Sequence, residues 1–162
     1  MKLENTFGHF LLQHHRRHNR TLNFVILMES LMTAANYIQY YYQSGALQKN
    51  LGQAGSTNVQ GEQVMRLDVM ANQIVMRYLS ASEQVIEATS EEMSDEVLLN
   101  ENGRYFVYFD PLDGSSNIKH SLPVGFLFGI AKRNLDGPED YHLRTGDEFI
   151  AAGMAPIPTG VF

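Results

Sequence analysis

Cysteine and tryptophan are both absent from this chain. Without cysteine, the protein can form no disulfide, no thiolate metal site and no cysteine nucleophile. Long apolar runs are also missing: the longest one near the N-terminus, residues 24–28, is far below the ~18 residues that a membrane helix needs. The first ten residues include Glu4 and no apolar core like that of a signal peptide. We therefore expect a cytoplasmic protein without a membrane partner.

Basic residues are fewer than acidic ones. The chain has 12 Lys and Arg against 18 Asp and Glu, a formal net charge of -6. This balance argues against nucleic acid as a partner, although a small anion held through a metal ion is compatible with it. A length of 162 residues is typical of one domain, so we expect a single domain over residues 1–162.

The spacing of apolar residues predicts both helices and strands. Helical spacing runs from Phe24 to Tyr42 and from Val64 to Leu79. The Gly- and Ser-rich residues 51–63 between them read either as a flexible connector or as a lid over a site. Four later segments are typical of strands: 84–93, 104–110, 124–133 and 148–155. The pattern predicts an α+β fold, with helices packed on a mostly antiparallel sheet.

The segment YFDPLDGSSN, residues 108–117, ends an apolar run abruptly. One interpretation is a strand followed by a structural Asp-Gly turn. In the other, Pro111 stops the strand and the chain directs Asp110 and Asp113 to one point, where a turn carbonyl completes a set of hard oxygen ligands for Mg²⁺. Residues 114–116 would then present backbone N–H groups and hydroxyls to an anion. Metal beside phosphate is the arrangement of a phosphatase.

A second acidic pair, Glu91 and Glu92, ends the strand predicted from Gln84. Adjacent glutamates are usually solvated surface charges. Two acidic pairs at strand ends nevertheless favour a common site, since open α/β sheets bind their ligands at one edge.

Together these motifs resemble those of the class 1 fructose-1,6-bisphosphatases. The resemblance rests on FDPLDGSSN and on four further segments, in the order in which that family has them. They are GSTNVQGEQVMRLDV at 55–69, SEEM at 90–93, FGIAKR at 128–133 and AAGM at 151–154. Inositol monophosphatases share only the DPxDG core, so GSTNVQGEQ and the GSSN ending favour the bisphosphatase branch.

The resemblance implies a role for each matching position. Glu91, Asp110, Asp113 and the carbonyl of Leu112 would be ligands of Mg²⁺ or Mn²⁺. The catalytic Asp68 and Glu92 would lie close to a second metal ion and its water. The phosphate that is cleaved would be bound by Asp113, Gly114, Ser115 and Ser116. The implied reaction is metal-dependent hydrolysis of fructose 1,6-bisphosphate to fructose 6-phosphate in gluconeogenesis, and the implied partners are a sugar phosphate and, in the full-length family, further copies of the chain.

The chain also departs from the family. The resemblance covers only the N-terminal half of the layered sugar-phosphatase fold, so the C-terminal domain, which in the family holds the sugar and the second phosphate, is expected to be absent. Gln73 stands where we expect an acidic residue near the attacking water, and Lys119 where the family usually has aspartate. Two alternatives therefore stay open: a non-catalytic metal- and phosphate-binding regulatory module, and an inositol-phosphatase-like enzyme.

Overall fold

The computed structural model describes residues 6–18, 21–43, 57–120, 122–133 and 146–157; within these ranges, the side chains of 14–18, 57–66 and 119 fall outside the description. Three helices belong to this part of the chain: α1 (Phe7–His18), α2 (Leu22–Gln43) and α3 (Thr57–Ser82). The strands are β1 (Val85–Ser90), β2 (Val97–Leu98), β3 (Tyr105–Asp113), β4 (Val124–Lys132) and β5 (Phe149–Ile157). Short 3₁₀ helices span Ser115–His120 and Gly146–Glu148.

The five strands form one sheet in the order β2-β1-β3-β4-β5. Only β1 and β3 are parallel, and the other neighbours are antiparallel. The predicted α+β fold with a mostly antiparallel sheet is thus confirmed. The parallel pair matters for function, because the carboxyl ends of parallel strands meet at the same edge of a sheet.

The main core lies between one face of the sheet and the helices α2 and α3. Side chains two apart in β3, such as Tyr105, Val107 and Phe109, point to this face and are buried, as the period of a strand requires. From the helices, Leu31 and Val75 contribute side chains with no exposed surface. Thr21, just before α2, bonds through its hydroxyl to the Tyr105 hydroxyl at 2.9 Å, which ties the start of α2 to the start of β3.

The other face of the sheet carries a smaller cluster of Ile86, Phe106 and Ala131. The Tyr108 ring stacks on that of Phe149 there, with centroids 5.5 Å apart. Met154 on β5 is 63% exposed.

The structure corrects three predicted boundaries. Residues 57–63, expected within a connector or lid, are the start of α3; residues 51–56 of that segment lie outside the described part. The strand predicted over 84–93 ends at Ser90, because residues 91 and 92 form a turn. The short β2 was not predicted, since two residues are too few for a visible alternation.

Pro111 does not stop its strand, contrary to expectation. β3 continues through Pro111 to Asp113, and its pairing with β4 shifts register between Asp110 and Asp113. β1 pairs with β3 only as far as Phe109, so beyond that point β3 has one neighbour among the described strands. Proline is tolerated at such irregular positions because no ladder hydrogen bond needs its missing N–H.

Within the described residues, none of the helices combines the length and the hydropathy needed to cross a bilayer.

Candidate functional site

Among the described side chains of helix α3, one acidic residue lies on the buried side. Leu67, Ala71, Val75 and Leu79 recur at helical spacing and are buried. Asp68 lies on the same side and is only 8% exposed. Its Oδ1 atom is buried without a hydrogen-bond partner among the described residues. A buried carboxylate oxygen without a donor is costly, and it marks a place where a ligand, an ion or water is expected.

The C-terminal end of β1 places Glu91 and Glu92 at the edge of the sheet. The Glu91 N–H donates to the Phe109 carbonyl at 3.0 Å, so the chain stays attached to β3 just past the end of β1. The buried Ser90 accepts the Glu92 N–H through its hydroxyl oxygen at 3.3 Å. Both glutamate side chains are exposed and can therefore reorient towards a ligand.

The end of β3 supplies the other acidic pair. Asp110 Oδ1 accepts the Leu112 N–H at 2.9 Å, which orients this carboxylate beside the register shift. Leu112 itself is buried, and Asp113 is exposed at the end of the strand. Because β1 and β3 are parallel, both acidic pairs lie at one edge of the sheet.

A turn follows Asp113 directly. Gly114 has φ 76°, in the left-handed region that favours glycine. Its carbonyl accepts the Asn117 N–H at 2.7 Å, and the 3₁₀ helix Ser115–His120 begins at the next residue. The Ser115 hydroxyl donates to the Asp68 carboxylate, which joins the turn to α3.

Five carboxylates lie close enough that their charges affect the pKa of three of them. We call them the acidic cluster: Asp68, Glu91, Glu92, Asp110 and Asp113. Burial is the main cause that raises the pKa of Asp68, and the charges of Asp110 and Glu91 raise it further, while the Ser115 hydrogen bond lowers it. Burial is also the main cause that raises the pKa of Asp110. The hydrogen bond from the Leu112 N–H lowers this pKa, and the charges of Glu91 and Asp113 raise it.

Glu92 belongs to the same cluster. Burial again raises its pKa most, and the charges of Asp68, Glu91 and Asp110 add to the effect. Like charges gathered in this way repel one another, and a cation among them removes the repulsion.

The donor chemistry of the cluster suits a hard divalent cation, which takes oxygen ligands. In the described ranges, however, no three acidic or histidine side chains already converge as a metal site requires. Since Glu91, Glu92 and Asp113 are exposed, their side chains can turn towards a metal ion without unfolding the core. The gathering of carboxylates from α3 and from the ends of β1 and β3 at one edge of the sheet is the observation that fits such an ion best.

An open groove of ≈ 670 Å³ adjoins the cluster on the sheet face opposite α2 and α3. Glu91 and Asp110 form one end of it, and its floor is largely apolar, with Tyr108, Leu127 and Phe149 among its lining residues.

Gln73 lies on a different side of α3 from Asp68. It is exposed, and five residues turn an α-helix by about 140° beyond a full turn, so its side chain does not share the face of Asp68. That the position of Gln73 lies near the attacking water stays a prediction. Asn72, four residues after Asp68, shares that face, and the i, i+4 spacing could have revealed it. The side chain of Lys119 lies outside the described part.

Comparison with protein families gives a match over residues 5–157 to the family model "Fructose-1-6-bisphosphatase, N-terminal domain". The chain is 61% identical to the class 1 fructose-1,6-bisphosphatase of Syntrophus aciditrophicus, with 100% of this chain and 50% of that protein covered. It is 36% identical to mouse fructose-1,6-bisphosphatase 1, with 93% and 46% covered. The chain thus spans about half the length of the curated relatives it matches.

The fold is also similar to a solved structure, that of Leishmania major fructose-1,6-bisphosphatase in its holo form. The TM-score is 0.73 at 25% sequence identity, and the match covers 94% of this chain and 44% of that one. The apo form of the same protein gives a TM-score of 0.66.

Proposed function

Because this chain belongs to the fructose-1,6-bisphosphatase family, we propose that it carries the metal-binding part of a site that hydrolyses fructose 1,6-bisphosphate to fructose 6-phosphate and phosphate. The observation that carries the proposal is the acidic cluster, in which strand ends and α3 bring carboxylates together so that burial and neighbouring charges raise the pKa of Asp68, Glu92 and Asp110. The family match favours this reaction over that of an inositol-phosphatase-like enzyme.

We assign the ligands of Mg²⁺ or Mn²⁺ to Glu91, Asp110, Asp113 and the carbonyl of Leu112. When bound, divalent ions neutralise phosphate oxygens and make water a stronger nucleophile. The exposed positions of Glu91 and Asp113 support this assignment, because ligands at the surface can be reached by a hydrated ion.

Binding of the reacting phosphate is assigned to the residues around the turn. Asp113 would contribute to phosphate binding as a ligand of the metal ion, and Gly114, Ser115 and Ser116 would donate backbone N–H and hydroxyl hydrogens to the phosphate oxygens. The left-handed Gly114 supports this role, because it bends the chain immediately after the metal-binding strand end. Ser115 then bonds either to Asp68 or to the substrate.

The catalytic residues in this proposal are Asp68 and Glu92, which orient the attacking water and accept its proton. The water oxygen bonds to phosphorus while the bond between phosphorus and the sugar oxygen breaks, and the sugar oxygen leaves with the electron pair and is then protonated. Burial is the main cause that raises the pKa of both carboxylates in the metal-free chain, and a carboxylate of higher pKa is a better proton acceptor.

The proposal also includes homo-oligomeric assembly, a role in gluconeogenesis and a cytoplasmic setting, all supported by family membership alone. Neither a nucleic acid nor a membrane is a partner in it, in keeping with the net charge of -6.

Phosphate release tests the activity. The 162-residue chain should be assayed with fructose 1,6-bisphosphate and Mg²⁺, alone and mixed with the C-terminal half of the Syntrophus relative. We expect Mg²⁺-dependent release from the mixture, negligible release from the chain alone, and none from a mixture carrying Asp110→Asn. An assembled mixture that binds metal and substrate without turnover would instead favour the non-catalytic regulatory module.

A further inference from the structure

Two buried acceptor atoms on α3 lack a hydrogen-bond donor. They are Asp68 Oδ1 and Asn72 Oδ1, and neither has a partner among the described residues. Residues four apart on a helix are neighbours on one face, with Cβ atoms about 5–6 Å apart. Leaving a buried polar atom unpaired destabilises a protein, so two such atoms side by side point to a shared solution.

The amide group of Asn72 can supply the missing donor. A half-turn about the Cβ–Cγ bond of Asn72 exchanges Oδ1 with Nδ2, which carries two hydrogens. The carboxylate of Asp68 is acceptor-only when ionised and needs a donor. Ser115 interacts with this carboxylate from the turn and lowers its pKa, while Oδ1 has no partner among the described residues.

We propose that Asn72 is a positioning residue whose Nδ2–H donates to Asp68 Oδ1. The carboxylate is then held from both sides, by Ser115 at one oxygen and by Asn72 at the other. The orientation of the Asp68 carboxylate then becomes fixed relative to Asp110 and Glu91, whose charges contribute to its raised pKa. The hydrogen bond is inferred from the i, i+4 spacing on α3 and the two unpartnered atoms, whereas its consequence for metal binding rests on the proposed function.

The hydrogen bond is tested by a double-mutant cycle in urea with EDTA present. Asn72→Leu keeps the branched shape of the side chain and removes the donor, and Asp68→Ala removes the acceptor. We expect Asn72→Leu to raise the unfolding equilibrium constant roughly tenfold in the parent, and to have a much smaller effect in the Asp68→Ala background. Additive effects would overturn the hydrogen bond.

The positioning role is tested by Mn²⁺ titration of the same folded variants. Asp68 acts electrostatically on its surroundings together with the assigned ligands Asp110 and Glu91. Loss of a residue that orients the groups around a metal site typically lowers metal affinity by about 10–100-fold, so Asn72→Leu should weaken Mn²⁺ binding at least tenfold. Asn72→Gln keeps an amide within reach of Asp68 and should recover most of the affinity. Gln43→Leu removes an exposed amide at the end of α2 and should match the parent.

The outcomes separate the two claims. Unchanged Mn²⁺ affinity in folded Asn72→Leu overturns the positioning role, even if the urea cycle shows coupling. A parent chain that binds no Mn²⁺ overturns the proposed metal site, and the urea cycle still decides whether Asn72 donates to Asp68.

Discussion

The carboxylates of Asp68 and Asp110 come from different layers of the fold, α3 and the sheet, yet Asp110 raises the pKa of Asp68 through its charge. Each residue also has one partner that holds it in place: Ser115 donates to Asp68, and the Leu112 N–H donates to Asp110 at 2.9 Å. The helix, the strand and the turn that follows it thus meet at one polar point. This junction is the part of the molecule on which the following predictions depend.

Removing one carboxylate from the strand end should weaken metal binding. We expect Asp113→Asn to reduce the affinity for Mg²⁺ and Mn²⁺ by about tenfold or more, because an amide is a poorer ligand for a hard cation and carries no charge. Isothermal titration calorimetry measures the change. Glu101→Gln, an exposed acidic position in the turn before β3, is the matched control and should bind like the parent. Equal affinities for Asp113→Asn and the parent would remove Asp113 from the ligand set.

The metal-free protein should become more stable as the pH falls. The pKa values of Asp68, Glu92 and Asp110 are raised in the folded state, so that state binds more protons than the unfolded chain between the ordinary and the raised pKa. The free energy of unfolding therefore decreases as the pH rises through this window and recovers as the pH falls back. Urea unfolding in EDTA at a series of pH values measures the trend.

The same argument predicts that Asp110→Asn stabilises the metal-free chain at neutral pH. The amide keeps Oδ1 as an acceptor for the Leu112 N–H and removes one charge from the cluster. We expect a Tm a few degrees above that of the parent in EDTA, with a flatter pH dependence. Asp95→Asn, at an exposed position outside the cluster, should leave both unchanged. A lower Tm for Asp110→Asn would contradict the inference that the partly buried, repelled charge of Asp110 destabilises the metal-free chain.

The turn after Asp113 should require glycine. Ala at position 114 would adopt a left-handed conformation that costs about 1 kcal/mol, and its Cβ would lie 3.0 Å from Asn117 Nδ2. We expect Gly114→Ala to lower stability and to weaken binding of inorganic phosphate to the metal-loaded protein. Asparagine tolerates this conformation better, so Gly114→Asn should be the milder change. Denaturant unfolding and phosphate titration measure the two effects, and equal results for Ala and Asn would show that the backbone conformation is not the constraint.

The apolar sheet face opposite the helices should make the isolated chain associate. Met154 is 63% exposed there, beside the groove lined by Leu127 and Phe149. We expect Met154→Glu to reduce the concentration dependence of the molar mass measured by light scattering. Tyr40→Glu, at a comparably exposed position (64%) on α2, serves as the control. A parent chain that stays monomeric at high concentration would contradict the prediction.

Much of the architecture followed from local patterns. The periodicity of apolar residues predicted α2 and the C-terminal part of α3, because a helix buried on one side must repeat its apolar residues every three or four positions. Alternation and apolar runs predicted β1, β3, β4 and β5 in the same way. Both acidic pairs indicated a site because each directly follows an apolar strand, and strand ends at one edge of a sheet are where such folds bind ligands.

Other features depended on contacts between distant segments. Pro111 continues β3 because the register shift against β4 leaves no ladder bond for it to break, and no pattern within residues 104–113 contains that information. The parallel pairing of β1 with β3, which places Glu91 beside Asp110, is likewise a property of the assembled sheet.

Gln73 and Asn72 illustrate the difference between what sequence patterns predict and what the packed helix determines. Sequence similarity drew attention to Gln73, yet the turn of α3 exposes that side chain and brings Asn72 to the face of Asp68. The helix that carries Asp68 and the acidic residues at the ends of two strands could be predicted from local patterns in the sequence. The 8% exposure of Asp68 and its position against the strand ends could not, because burial and repulsion between the carboxylates arise when α3 packs on the sheet.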